Sequence, residues 1–224
     1  MVAVPGLDPL AAAPVVRPIF GVDIAGFGHP DRDDEVQVAV RRVLYQVLRE
    51  AWEGAGLSWA DALREDRGDG VLLIASPAEP PGTLIDPLLE LIRLRLNRHN
   101  RLSSPAAQIR LRAALHLGPV HRDQHGVTGT AVTHMFRLLN APQLRTALEE
   151  PDTDLAFIAS QQVFDHIIRT HGSMGPESYL PVECRVKETL APAWITIPTR
   201  GRRPLLAPAH ENVPGVTRLM ERAE

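Results

Sequence analysis

Cysteine is nearly missing from this sequence. Cys184 is the one cysteine in 224 residues, which excludes an intrachain disulfide framework and points to a packed thiol in a reducing compartment. No run approaches the roughly 18 apolar residues that a membrane-spanning helix needs, and Met1 to Pro18 shows no positively charged leader. A cytoplasmic location without a membrane partner is therefore expected. An excess of one charge is also lacking: 24 basic and 27 acidic side chains leave a net charge of -3, with no bulk attraction for nucleic acid or an anionic surface. Any bound phosphate must be gripped locally. A Walker loop, a dinucleotide glycine fingerprint and a serine-hydrolase elbow are all absent. The nine histidines show no metal-ligand spacing, which argues against zinc. Aromatic residues are few, with five Phe and two Tyr against 20 Pro, so the core must be aliphatic and the chain cut by many defined turns. What is present, 44% hydrophobic and 23% charged residues, describes one globular domain with appendages.

Period and punctuation then divide the chain. A strand at Pro18 to Ile24 gives way to a glycine bend, and the acidic run Asp31 to Glu35 offers capping oxygens for a helix to about Glu53. Its apolar residues, Val36, Val40, Val43, Leu44, Val47, Leu48, Ala51 and Trp52, recur at helical steps. A hairpin follows through Arg64 to Ile74, its second arm beginning at Val71. Asp86 is expected to cap the next helix with Pro87 at its first position. Gln108 to Gly118 alternates as a strand, with Arg110, Arg112 and His116 on its polar face, and the polar segment His121 to Gly129 crosses to another helix. Val132, Met135, Phe136 and Leu139 form that helix's buried stripe, Pro142 starts a short continuation, and Ser160 caps a helix after a strand at Leu155 to Ala159. Strands at Leu180 to Lys187 and Trp194 to Ile197 complete the pattern. The order predicts an α+β fold with a ferredoxin-like βαββαβ core, helices on one side of a mixed sheet, and additional C-terminal strands and helices. An irregular arm is expected at 1–16, the domain at 17–198, and a basic linker with a short terminal helix at 199–224.

Two stretches carry carboxylates at glycine bends. Asp23 closes the first strand, and Asp69 stands between Gly68 and Gly70 at the hairpin tip. Brought together with the backbone carbonyl of Ile24, they would offer oxygen donors to hard divalent ions that activate a ribose hydroxyl and neutralise a triphosphate; the alternative is that both cap turns. Thr133 and Arg137 lie four apart and share a helix face, where Arg137 would fork onto a phosphate or else make a structural salt bridge. Lys187, at a strand end, is a candidate for a terminal phosphate or is simply solvated.

In this order the motifs resemble the class III nucleotidyl cyclase catalytic domain, over about Phe20 to Ile197. Phe20-Gly21-Val22-Asp23-Ile24-Ala25-Gly26-Phe27 and Arg67-Gly68-Asp69-Gly70 are similar to the family's two metal motifs. Leu115-His116-Leu117-Gly118-Pro119-Val120, Gly129 to Leu138 and Val186-Lys187 resemble its strand and turn, catalytic helix and phosphate-binding strand. The sequence also resembles short, stand-alone actinobacterial cyclase-like proteins.

The resemblance implies a Mg2+ or Mn2+ enzyme acting on a nucleoside triphosphate in a head-to-tail homodimer, with Asp23 and Asp69 of one copy facing Thr133, Arg137 and Lys187 of the other. Phe27 of the first motif joins the substrate residues. Glu65 falls at the base-selecting position, where guanylate-specific members carry glutamate, and Gly126 falls at the second such position, where the missing side chain leaves room. GTP or a pyrimidine triphosphate, as in antiphage cyclases that make cyclic pyrimidine nucleotides, is the expected substrate. Thr133 departs from the family's asparagine: its hydroxyl has one donor rather than two, a loss equivalent to about 1 to 3 kcal/mol in turnover. The alternative implied is a catalytically impaired module that binds a nucleotide or a protein partner in regulation or defence.

Overall fold

The computed structural model describes residues 15–187 and 189–198. The terminal linker and helix expected at 199–224, and the arm up to residue 14, lie outside the described residues.

Strand β1, Val15–Ile24, leads into helix α1, Asp34–Gly54. The acidic run does start this helix: Asp33 accepts the Val36 N–H at 2.8 Å, and Asp34 and Glu35 occupy the first turn, where the helix dipole favours negative charge. The hairpin follows as β2, Leu63–Asp66, and β3, Gly70–Ile74. Helix α2 spans Leu88–Asn100. Asp86 does not cap it, because its own N–H bonds back to Gly82 and ties it to the preceding turn; Pro87 holds the cap position without a side-chain bond.

Strand β4, Leu111–Asp123, runs five residues past the expected end, Gly118, and turns into β5, Gly126–Thr128, so the polar segment expected to cross to a helix is a hairpin. Helices α3, Thr130–Leu139, and α4, Pro142–Glu149, precede β6, Leu155–Ser160. Ser160 caps α5, Gln161–Val163, which widens into a π-helical turn over Phe164–Ile168. Strands β7, Leu180–Val186, and β8, Thr189–Thr196, form the last hairpin.

The strands join in the order β2-β3-β1-β4-β6-β8-β7, with β5 paired to the far end of β4. β1 runs antiparallel to both β3 and β4, while β4 and β6 are parallel. Helices cover both faces rather than one. Phe20, Val22 and Ile24 of β1 point to a core shared with α1, α2 and α5, whereas Ile19 belongs to a second core under α3 and α4. Strand alternation therefore places Asp23 on the α3 and α4 side, at the end of that face. Cys184 is buried and free, and burial pushes its thiol up to about 11, as expected of a packed, unreactive group.

Candidate active site

Register brings the two aspartates together. Asp23 pairs with Gly70 across β1 and β3, and the Ile24 N–H donates to the Asp69 carbonyl at 2.8 Å, so the hairpin tip lies directly beside the end of β1. Asp23 also pairs with Arg112 across β1 and β4, and the Arg112 guanidinium donates Nε–H and Nη2–H to the two carboxylate oxygens, each at 2.8 Å. Asp23 is 8% exposed. Burial pushes its carboxyl up to about 6 against the pull of Arg112, and the nearby charge of Asp69 adds to the rise. Next to this pair a cleft of about 460 Å³ is lined by Arg110, Arg112 and Arg145, with Ala25, Gly26 and Glu149 among its other walls. Three guanidinium groups around one opening suit a polyanion. Sequence reading put Arg110 and Arg112 on the polar face of the Gln108 to Gly118 strand but gave them no role; the β1 to β4 register sets Arg112 opposite Asp23. Arg145 had no signal beyond its helix.

The donor set fits a hard cation. Asp23, Asp69 and a backbone carbonyl are oxygens only, and ions of the magnesium type are held by one or two carboxylates together with substrate phosphates and water. Among the described residues no group of three or more His, Cys, Asp or Glu would hold an ion on its own. Arg112 donates one N–H to each Asp23 oxygen, so an ion held by Asp23 shares that carboxylate with Arg112. The Phe27 ring packs against the α1 and α2 core, away from the Asp23 face.

Glu65 and Gly126 meet in one chain. The Val127 N–H donates to Glu65 Oε1 at 2.6 Å, and the other carboxylate oxygen takes the Arg67 guanidinium. Gly126 has φ +127°, and a Cβ built there would stand 2.3 Å from Glu65 Oε1. The room expected at Gly126 is thus filled by the glutamate. Arg67 in turn lies over the Phe136 ring, 5.1 Å from its centroid, and Phe136 is half-buried, packed against the edge of the second core. The buried positions of α3 are Ala131, Val132, Met135, Leu138 and Leu139.

Thr133 is exposed on α3, between the Phe136 and Arg137 flanks of the helix. Arg137 lines a second cleft, of about 480 Å³, with Val16, His116, Gly118, Thr130, His134 and other residues. The His116 and His134 rings lie 4.6 Å apart, and His116 Nδ1 is 3.0 Å from the Ser160 hydroxyl. Burial lowers His116 to about 4, and burial, with the Arg137 charge adding, lowers His134 as well. Lys187 stands exposed at the β7 to β8 turn with φ 52°.

The Gly118 wall of the Arg137 cleft, and Lys187, lie toward the opposite end of the sheet from Asp23. The Gly118 rung of β4 is six residues, about 20 Å, from the Arg112 rung, and the β7 to β8 turn projects at the same end as Gly118. One chain therefore joins Asp23 to Asp69, and Glu65 to Gly126, but does not join Asp23 to Arg137 or Lys187.

No family model and no curated protein sequence matches the chain. Solved structures do. An adenylate/guanylate cyclase/hydrolase from Silicibacter pomeroyi aligns with a TM-score of 0.58 and 19% identity over 83% of this chain and 98% of its own. The guanylyl cyclase Cya2 aligns with a TM-score of 0.58 and 15% identity over 87% and 100%. The guanylate cyclase domain of RhGC from Catenaria anguillulae, in complex with GTP, gives 0.54 and 14% over 84% and 100%. The described chain has the fold of the class III adenylate/guanylate cyclase catalytic domain.

Proposed function

We propose that the protein is a nucleotidyl cyclase that converts a nucleoside triphosphate, GTP or a pyrimidine triphosphate, to a 3′,5′-cyclic monophosphate and pyrophosphate. Two copies arranged head to tail form its sites. The observation that carries this reading is the division of labour within one cyclase-type fold: two adjacent aspartates beside a cleft of three arginines, and Arg137 in a separate cleft walled by His116 and Gly118. Neither cleft is sufficient, and a head-to-tail pair sets each against its complement.

Asp23, the Ile24 carbonyl and Asp69 would hold Mg2+ or Mn2+, whose chemistry when bound is to acidify the ribose 3′-hydroxyl and neutralise phosphate charge. Arg110, Arg112 and Arg145 receive the outer phosphates, and a phosphate oxygen that draws Arg112 releases the Asp23 carboxylate. Arg137 of the second copy faces the transferring phosphoryl group, where charge builds. Thr133 supplies one hydroxyl donor toward the ribose, and Lys187 a point charge for the terminal phosphate. Glu65 and Gly126 mark the base end of the same site. Phe27 contributes through its backbone turn, since its ring belongs to the core. Among the described residues no helix is long and apolar enough to cross a membrane.

To test this, each of the four ribonucleoside triphosphates is incubated with the protein in Mg2+ and in Mn2+, and cyclic product is sought by mass spectrometry. A cyclic product from at least one base, lost in Asp23→Ala and Asp69→Ala, is expected; no product from any base in either metal overturns the assignment. The closed Arg112 to Asp23 pair and the threonine at position 133 favour a second reading, a regulatory or defence module that binds nucleotide without turning it over. Calorimetric binding of a triphosphate without conversion selects it.

A further inference from the structure

Glu65 is the wrong group to meet a base directly. One of its carboxylate oxygens is held by the Val127 N–H at 2.6 Å and the other by the Arg67 guanidinium, and the Gly126 backbone leaves no space even for a methyl group beside it. The side chain that faces outward from this cluster is Arg67, 40% exposed where Glu65 is 25% exposed. Its guanidinium is fixed twice: an ion pair sets the charge, and the Phe136 ring, 5.1 Å from the guanidinium carbon, sets the plane. Phe136 precedes Arg137 and lies one turn from Thr133, so the outward edge of Arg67 borders the helix flank that the proposed reaction uses.

We propose that Arg67, positioned by Glu65 and seated on Phe136, reads the base, and that it selects bases presenting two neighbouring acceptors, guanine through O6 and N7 or cytosine through O2 and N3. The proposal rests on the cyclase reading of the same site and names its specificity. An arginine has five N–H donors and no acceptor. One donor goes to Glu65, and the rest of the planar fork matches a pair of adjacent acceptors, the geometry by which arginine distinguishes guanine in nucleic acids. Adenine sets its amino donor beside N1 on one edge and beside N7 on the other, which points a donor at a donor. Uracil separates its two carbonyls by an N–H.

The test measures binding, apart from turnover. Full-length protein in Mn2+ is titrated calorimetrically with the four α,β-methylene triphosphates, in which the bond broken on cyclisation is blocked, and with inorganic tripolyphosphate as a ligand without a base. The guanine or the cytosine analogue should bind about ten-fold or more tightly than the adenine and uracil analogues, the titration itself deciding between the two favoured bases. Arg67→Ala, and Arg67→Gln, which keeps a flat side chain on Phe136, should reduce that ratio to about two-fold or less while tripolyphosphate binds both variants as it does the wild type. Glu65→Gln, which keeps an acceptor for Val127 but loosens Arg67, should lower the ratio several-fold without inverting it.

Equal binding of the adenine or uracil analogue by the wild type overturns the proposal. So do Arg67 variants that keep the full ratio, and so does loss of base preference in Glu65→Gln alone. Failure of every analogue and of tripolyphosphate to bind the wild type has a different signature: it removes the cyclase reading, and this inference with it.

Discussion

Arg112 and Asp23 form an ion pair in which both side chains are nearly dry, 12% and 11% exposed, and the two are joined by a pair of hydrogen bonds. Removing one partner from such a pair strands the other's charge, which costs more than the pair itself contributes. Arg112→Ala should therefore lower the free energy of unfolding by about 3 kcal/mol at pH 7, read as a fall in the urea midpoint at unchanged slope. A loss below about 0.5 kcal/mol would mean that water reaches Asp23 freely. His116 gives a pH-dependent counterpart. Its folded value is lowered to about 4 by burial, beneath the ordinary 6.5, so the unfolded chain binds the proton first as pH falls. The stability it contributes is complete above about pH 6.5 and is lost on descending toward 4, at no more than ~1.4 kcal/mol per pH unit, and less because the ring keeps some contact with solvent. The stability difference between wild type and His116→Asn should narrow over that window, since the neutral amide takes no proton. A difference constant from pH 7 to 4.5 would contradict the assigned burial of the ring. Each of these residues acts through a partner on another strand or helix, which explains why sequence alone placed them on a face without saying what they touch.

The β1 to β3 pair is the element on which the aspartates depend. Gly70 sits opposite Asp23, and a Cβ at that position would stand 2.3 Å from the Val22 carbonyl oxygen, a backbone atom that cannot swing aside. Gly70→Ala should cost about 3 kcal/mol and move the Asp69 turn off the end of β1. The prediction is checked by thermal unfolding together with titration of Mn2+ in the presence of tripolyphosphate: both should weaken, and unchanged metal affinity would show that Asp69 is placed by something other than this register. The glycine at this site was visible in the sequence as part of a bend, but its steric role depends on the partner strand. The same distinction runs through the other elements. The helix of Val40, Leu44, Val47 and Leu48, and the strand of Leu111, Ala113 and Leu115, were legible because one apolar face is buried and the period shows it. The extension of β4 through His121, Arg122 and Asp123 into β5 was not, because its residues are mostly exposed and no alternation survives. Phe136 packs on the edge of the core as its place in the apolar stripe suggests, and only the arrival of Arg67 from the β2 to β3 turn reveals its other use. Asp23 and Asp69 stood out through glycine bends, whereas Arg112 required knowing which residue of β4 lies opposite Asp23.

At the scale of the whole molecule, the two ends of the sheet make a prediction that no single-chain property can mimic. If each site takes Asp69 from one copy and Arg137 from the other, then Asp69→Ala and Arg137→Ala homodimers each contain two broken sites. In a mixed dimer, one site receives both substitutions and the other receives neither. Random exchange of equal amounts makes half of the dimers mixed, each with one whole site of two, so about a quarter of the wild-type rate should return on mixing. Asp69→Ala mixed with Asp23→Ala must stay inactive, because both changes fall on the same end and every site inherits one. That second mixture is the decisive control: recovery there would mean that the aspartates do not serve one site together. Absence of recovery in the first mixture, with subunit exchange verified by native mass spectrometry of differently tagged chains, would place Arg137 outside any site shared with Asp69. Arg137 lines the cleft of His116 and Gly118, whereas Asp23 borders that of Arg110, Arg112 and Arg145, so a rate recovered on mixing reports a site completed between copies.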